Sequence, residues 1–197
     1  MTAVLRWTAR IHKWLALLVG IQIVLWVAGG AVMSLLDIDN VHGDQNVAPV
    51  PVIDLELASV ISPAEAAGLA GLSGVVKRVE LMPWLGRAVY QVEDYSGTRH
   101  LIDARNGERL TPISETTAIA LAEQFHLGEL AASSTEFLEA STTEYRDAPL
   151  PAWRVNFDDG DGTSLYYAVE TGMLTSRRND EWRLFDFFWM LHIMGYQ

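Results

Sequence analysis

The sequence predicts an α+β protein: an N-terminal transmembrane helix, two tandem modules that each join a helix to an antiparallel sheet, and a C-terminal apolar helix. Three observations predict it: an uncharged apolar run near the N-terminus, two similar segments in the middle and a second apolar run at the end. The predicted divisions are a cytoplasmic N-terminus (1–13), the transmembrane helix (14–36), a linker (37–57), the first module (58–111), the second module (112–180) and the terminal helix (181–197).

The run from Trp14 to Leu36 contains no charged residue. Its length meets the roughly 20 apolar residues that a helix needs to cross a bilayer. A cleaved signal peptide, the competing interpretation, has an apolar core of roughly 7–15 residues and a small-residue cleavage site. This run is longer, and Asp37 follows it without such a site. We therefore expect a membrane anchor.

The charges beside the run predict its orientation. Arg6, Arg10 and Lys13 precede it, whereas Asp37 and Asp39 follow it. Positive residues stay on the cytoplasmic side. We therefore expect an anchor in the bacterial inner membrane, in contact with its lipid, and a main domain in the periplasm.

Composition narrows the classes of function. The net charge of −11 argues against a nucleic-acid partner, because phosphates require basic patches. The absence of cysteine excludes thiol nucleophiles and Cys-ligated metals. The five histidines form no metal-binding pair, and no nucleophile-elbow or phosphate-loop motif is present. We expect no catalytic residue, no metal site and no autonomous enzyme.

Two segments after the linker share one plan. Helix-start signatures open both of them, at Ser62-Pro63-Ala64-Glu65 and at Ser114-Glu115. Alternating apolar residues then predict strands: Val75 to Leu81, Ala88 to Val92, Phe137-Leu138, and Trp153, Val155 and Phe157.

Glycines repeat with the same spacing in the two hairpins that follow. Gly97 and Gly107 are ten residues apart, as are Gly162 and Gly172. Because glycine adopts a positive φ most easily, these positions predict turns. The sequence therefore predicts two copies of helix, strand, strand, strand.

The acidic run 158–162 allows two interpretations. Its clustered oxygens suit a calcium ion, but the later Glu of an EF-hand is missing. It also coincides with the turn that the first copy makes at 94–97, and Asp and Gly favour turns, so a plain hairpin turn is the preferred interpretation.

Several motifs together resemble the PepSY module and the PepSY-associated transmembrane helix proteins. The hairpin ends Asp103-Ala104-Arg105-Asn106-Gly107-Glu108 and Glu170-Thr171-Gly172 are similar to that module. Residues 10–15 resemble the start of the family's anchor, and residues 183–194 resemble its sequence before a later helix. Larger members are expected to continue into further transmembrane helices, whereas this sequence stops at Gln197.

The run from Trp182 to Tyr196 is apolar nearly all round. It rises only about 22 Å as a helix, which is too short for a hydrocarbon core of about 30 Å. We interpret it as an interfacial helix beside the anchor or as the outer end of a second span. A core helix of the exported domain is the third interpretation.

Two histidines, His12 and His192, are the candidate cofactor ligands. Some PepSY-associated relatives are haem-dependent reductases acting on siderophore-bound iron, and the resemblance implies that membrane histidines hold the haem. A helix of about 34 Å separates His12 from the domain that His192 follows, so both cannot ligate one haem. Each needs a partner histidine from elsewhere; otherwise they are interfacial histidines that bond to headgroups or backbone.

The first functional hypothesis is a membrane-anchored periplasmic protein without enzymatic activity that binds or regulates a periplasmic or membrane protein. The resemblance implies that it restrains peptidases, because PepSY modules occur in peptidase propeptides. The alternative is an accessory subunit of a haem-containing membrane reductase in iron uptake or electron transfer. A structural scaffold is the third. No cofactor is predicted under the first hypothesis, and haem is predicted under the alternative.

Overall fold

The computed structural model describes residues 2–49, 52, 59–71, 76–128 and 130–193. Its elements, in chain order, are α1 (Thr2–Leu35), α2 (Ile38–His42), a 3-10 turn (Asp44–Asn46), α3 (Pro63–Leu69), β1 (Val76–Trp84), β2 (Arg87–Asp94), β3 (Arg99–Asp103), α4 (Glu115–Phe125), β4 (Ser134–Leu138), β5 (Ala152–Asn156), β6 (Ser164–Ala168), β7 (Leu174–Arg178) and α5 (Asp180–Ile193). The predicted α+β class, with a long apolar helix first and another helix last, is confirmed.

One uninterrupted helix, α1, contains the predicted transmembrane run and begins well before it. Within Ala3–Leu35, a segment of 18 residues has a mean hydropathy of 2.3, and 6% of that segment is buried. This helix is long and apolar enough to cross a membrane. Exposed apolar surface of this extent is typical of contact with lipid or with another protein, so α1 is compatible with a membrane anchor.

The segment predicted as a linker contains α2 and the 3-10 turn, and then contacts α4. Val47 forms an isolated antiparallel β-bridge with His126, and the Ala48 amide donates a 2.8 Å hydrogen bond to the Phe125 carbonyl. The segment up to Pro49 is therefore fixed to the domain. The rest of the predicted linker, residues 50, 51 and 53–57, lies outside the described residues, as do Val75 and residues 194–197.

Two antiparallel sheets form the body of the domain, in the orders β1-β2-β3 and β4-β5-β6-β7. A helix precedes each sheet and begins at a serine cap. The Ser62 hydroxyl accepts a hydrogen bond from the Glu65 amide at 3.1 Å, and the Ser114 hydroxyl accepts one from the Thr117 amide at 3.2 Å. Serine caps satisfy amides that lack a partner in the first helical turn.

The first turn after β2 and the corresponding turn after β5 have the same geometry. Asp94 Oδ1 accepts hydrogen bonds from the amides two and four residues later, at 2.8 and 2.9 Å. Asp159 Oδ1 does the same at 3.0 and 3.1 Å. Gly97 and Gly162 then take positive φ values of 86° and 63°. A side-chain carboxylate thus replaces backbone partners in both turns.

Both sheets are covered on two faces. In the first sheet, alternate residues such as Tyr90 and Val92 face α3, whereas Val89 and Leu101 face the second sheet. A shared core joins the two halves, and its fully buried members include Val89, Leu101, Ala118, Ala122 and Val155. A third cluster packs the 139–151 loop on the outer face of the second sheet.

The β6–β7 turn fastens the second sheet to the first. The Ile113 amide donates a 2.8 Å hydrogen bond to the Val169 carbonyl. At Gly172, whose φ is +65°, an added Cβ would lie 3.0 Å from Leu101 Cδ1 and 3.1 Å from Ile113 Cγ2. The close approach therefore needs glycine at this position.

Candidate functional site

The C-terminal helix α5 packs antiparallel on α1. A Cβ on Gly29 of α1 would lie 3.4 Å from the Phe188 carbonyl oxygen, so the missing side chain lets the two helices approach closely. Nearer the N-terminus of α1, the His192 ring stacks on Trp26 with centroids 4.6 Å apart. His192 Nδ1 also lies 3.1 Å from the Trp26 carbonyl oxygen, so it donates a hydrogen bond when it carries the proton.

His12 lies far from this contact. It precedes Trp26 by 14 residues on the same helix, which is about 21 Å at the rise of an α-helix. The two candidate histidines therefore do not fit a haem held between them within one chain. His192 bonds to backbone and packs between aromatic and glycine residues, whereas His12 lies in the exposed N-terminal part of α1.

An acidic and arginine-rich network attaches α5 to the second sheet. Glu144 accepts hydrogen bonds from Arg183 at 2.9 and 3.1 Å and from the Tyr166 hydroxyl at 2.9 Å. Burial opposes ionisation of Glu144, but the hydrogen bonds from Arg183 and Tyr166 outweigh it, so the pKa of this carboxyl is lowered. A second ion pair, between Arg146 and the buried Asp186, joins the same loop to the middle of α5.

The acidic run 158–162 forms a hairpin turn. Asp159 Oδ2 lies 2.9 Å from His126 Nε2, and both side chains are 5% exposed. His126 Nδ1 accepts a 3.1 Å hydrogen bond from the Gly128 amide, which leaves Nε2 to donate to Asp159. Asp161 Oδ2 accepts a 3.0 Å hydrogen bond from Asn46. These carboxylates hold protein groups, and no group of three metal-ligating side chains occurs among the described residues.

The sequence did not predict the pair of His126 and Asp159. The two residues lie 33 positions apart in the sequence, and only the docking of α4 on the second sheet brings them together. His126 also stacks on Phe157, with ring centroids 4.5 Å apart. The pair ties the end of α4 to the turn between β5 and β6.

The edge strand β1 is the longest strand of the domain, with nine residues. It pairs with β2 on one side, and no strand covers its other side in the described part of the chain. By contrast, residues 108–111 follow the open side of β3 through hydrogen bonds to Leu101 and Asp103. Charged residues occupy the exposed positions of β1: Lys77, Arg78 and Glu80.

An apolar cavity of about 280 Å3 opens at the end of β1. Four separate segments form its walls: Val47–Pro49, Met82–Leu85, part of α4 and the β6–β7 turn. The sequence predicted none of these residues as a site, because each one follows the ordinary apolar pattern of its own element. Only the packing of the two sheets brings the four segments together.

Comparison of this chain with protein-family models, with curated proteins and with solved structures finds no match. The resemblance to PepSY proteins therefore stays a prediction.

Proposed function

We propose that this chain is a membrane-anchored periplasmic protein of the PepSY type, whose exported domain binds an extended segment of another protein along β1. The observation that carries the proposal is the nine-residue edge of β1, which no other described strand covers. An uncovered edge offers a row of backbone donors and acceptors, and added strands use them for affinity.

The surroundings of β1 supply selectivity. Lys77 and Arg99 pair with the same carboxylate, Glu93, at 2.8 and 3.2 Å, and Arg78 pairs with Glu80 at 3.1 Å. Charged side chains at an edge disfavour pairing between identical apolar strands. A partner with complementary charges replaces the exposed Arg78–Glu80 pair at little cost, because exposed ion pairs contribute about 0–1 kcal/mol. The Glu93 side chain is only 6% exposed, so its pairs with Lys77 and Arg99 belong to the sheet itself.

The matching turns after β2 and β5 support the proposal of two related modules. Both turns use an Asp that accepts hydrogen bonds from the amides two and four residues later, and a glycine at a positive φ. The finer claim, that the partner is a peptidase held inactive, rests on the resemblance alone. It is tested by adding the purified chain to the captured partner and measuring peptide hydrolysis.

A photo-crosslinking amino acid in place of Arg78 tests the binding surface in native membranes. Tyr95 is the matched control position, because it is 73% exposed in the β2–β3 turn of the same sheet. We expect a discrete cross-linked protein from position 78 and none from position 95, with mass spectrometry mapping the cross-link to one extended segment. The same products from both positions, or none from position 78, would rule out the β1 surface.

The orientation is tested with single cysteines, because the chain has none of its own. In spheroplasts, a membrane-impermeant maleimide is expected to label Tyr95→Cys without lysis and Ala9→Cys only after lysis. The reverse pattern would contradict a cytoplasmic N-terminus.

The haem hypothesis keeps one supporting observation, which is that His192 lies beside α1 at the level of Trp26. A haem there needs a second histidine from outside this chain. The test of the haem hypothesis is the visible spectrum of the protein purified from membranes with haem supplied. A reducible Soret band that His192→Ala removes supports the accessory-subunit function. The absence of this band eliminates the haem hypothesis.

A further inference from the structure

The apolar cavity at the end of β1 has the character of a ligand site. Its volume of about 280 Å3 is close to the lower end of ligand pockets, about 300 Å3. An apolar cavity of about 150 Å3 already binds benzene. The walls are apolar apart from Gln124 and Tyr167, and the full set is Val47, Ala48, Pro49, Met82, Pro83, Trp84, Leu85, Leu121, Gln124, Phe125, Tyr167, Gly172, Met173 and Leu174.

One buried polar group on the cavity wall lacks a partner. Trp84 is 7% exposed, and its indole Nε1 has no hydrogen-bond partner among the described residues. A buried polar group without a partner costs free energy. The rest of the wall is mostly apolar, so the cavity favours an apolar occupant.

A second, polar groove adjoins this cavity. The two share the wall residues Val47, Phe125 and Leu174. The groove has a volume of about 560 Å3, and its other walls are His42, Thr175, Ser176, Arg177, Arg178 and Trp182. It lies beside α2, which follows α1 in sequence, and beside α5, which packs on α1.

The groove is a favourable place for an anion. Arg178 donates hydrogen bonds to the Glu144 and Arg177 carbonyl oxygens and to the Ser176 hydroxyl, at 2.8, 2.7 and 3.4 Å. None of these acceptors carries a charge, and the Asp186 and Glu144 carboxylates act on Arg178 without a direct ion pair. Trp182 covers its guanidinium at 4.0 Å, and a guanidinium forms strong charge-assisted hydrogen bonds with a carboxylate.

We propose that the cavity and the groove together bind a single-chain anionic amphiphile, a long-chain fatty acid. The acyl chain lies in the apolar cavity, and the carboxylate lies in the groove against Arg178. A carboxylate matches the planar guanidinium, and an acyl chain matches walls that two methionines make adaptable. The cavity uses the last residues of β1, Met82–Trp84, but this proposal does not require a protein segment to bind along that strand.

The test uses the full chain in lipid nanodiscs and a long-chain fatty acid that carries a photoreactive diazirine near its methyl end. After irradiation, we expect labelled peptides from the cavity walls, at Met82–Leu85, Leu121–Phe125 or Gly172–Leu174, and at least a tenfold loss of that label with excess unlabelled fatty acid. Label confined to α1 and α5, or cavity label that does not compete, would overturn the proposal.

Two variants separate the roles of the cavity and of the groove. Leu121→Trp fills the cavity and is expected to lower the labelling of the cavity-wall peptides at least tenfold. The control is Leu127→Trp, at a residue that is 54% exposed and lies outside the cavity. This control is expected to leave the labelling unchanged. Arg178→Gln is expected to lower labelling by the acid severalfold and labelling by the matching fatty alcohol very little. Equal loss with both probes would overturn the assignment of the carboxylate. The competition experiment on the native chain decides the case if a variant fails to fold.

Discussion

Gly172 shows what one missing side chain does in this fold. An added Cβ there would come too close to Leu101 and Ile113. The φ of Gly172, +65°, also disfavours other residues. We expect Gly172→Ala to lower the free energy of unfolding by roughly 1–3 kcal/mol beyond the backbone cost. Denaturant unfolding followed by tryptophan fluorescence measures it.

Gly160 is the matched control for this substitution. Its φ is +82°, but an added Cβ there meets no atom within 4 Å. Gly160→Ala should therefore cost only the roughly 1–2 kcal/mol of a left-handed backbone. Equal losses at the two positions would show that the close approach to the first sheet contributes nothing.

Asp159 makes stability depend on pH. Burial opposes its ionisation, but hydrogen bonds from Thr163 and His126 prevail and lower its pKa to about 2. Because the pKa is lower in the folded than in the unfolded chain, the stabilisation is complete above about pH 4 and is lost as the pH falls towards 2. Asp159→Asn should therefore lower the free energy of unfolding by about 2 kcal/mol at pH 7.

The comparison with Asp158→Asn checks this assignment, because Asp158 is exposed in the same turn. That variant should stay within about 0.5 kcal/mol of the native chain. Unfolding curves at pH 7 and near pH 2 are compared. A difference between native chain and Asp159→Asn that persists unchanged near pH 2 would show that the carboxylate charge is not the cause.

The turn glycines and the pair of His126 and Asp159 differ in how far the sequence could predict them. The glycines were predictable, because turn chemistry is local and the ten-residue spacing occurs twice. The pair of His126 and Asp159 was not, because a hydrogen bond across 33 positions depends on how α4 docks. The same holds for the cavity at Trp84, whose walls come from four segments.

At the scale of elements, the 139–151 loop controls the position of α5. Glu144 accepts two hydrogen bonds from Arg183 and one from Tyr166. We expect Glu144→Gln to lower the free energy of unfolding by about 1.5–3 kcal/mol, the usual range for hydrogen bonds to charged groups. Hydrogen exchange should rise in α5 more than in β2, and mass spectrometry resolves the two.

Glu136→Gln is the control for this network. The Glu136 side chain is 56% exposed, and its carboxylate lies as far as 3.7 Å from the Arg154 guanidinium. The substitution should therefore have almost no effect on the free energy of unfolding. If the two variants exchange α5 amides equally fast, Glu144 does not hold this helix. Caps and periodicity predicted α3 and α4, whereas α2 lies in the segment predicted as a linker. The attachment of α5 was not predictable, because a loop without periodicity supplies both Glu144 and Arg146.

At the scale of the whole molecule, α1 and α5 form an antiparallel pair below a two-sheet domain. The middle of the predicted span 14–36 lies next to Trp26, which contacts His192. If α1 spans a bilayer, α5 enters it to about half its depth. The apolar composition of the tail predicted a membrane contact, but only the pairing of Gly29 with Phe188 indicates its direction.

Phe187 tests this arrangement, because its side chain is 56% exposed. It precedes His192 by five residues, so it should lie about 7 Å from the bilayer centre along the helix. That is well inside a half-thickness of about 15 Å. A spin label at Phe187→Cys in nanodiscs should therefore collide more often with dissolved oxygen than with a water-soluble nickel chelate. The same label at Tyr95→Cys should show the opposite preference. Equal access of the nickel chelate to both labels would mean that α5 lies outside the bilayer, as an interfacial helix or as part of the domain.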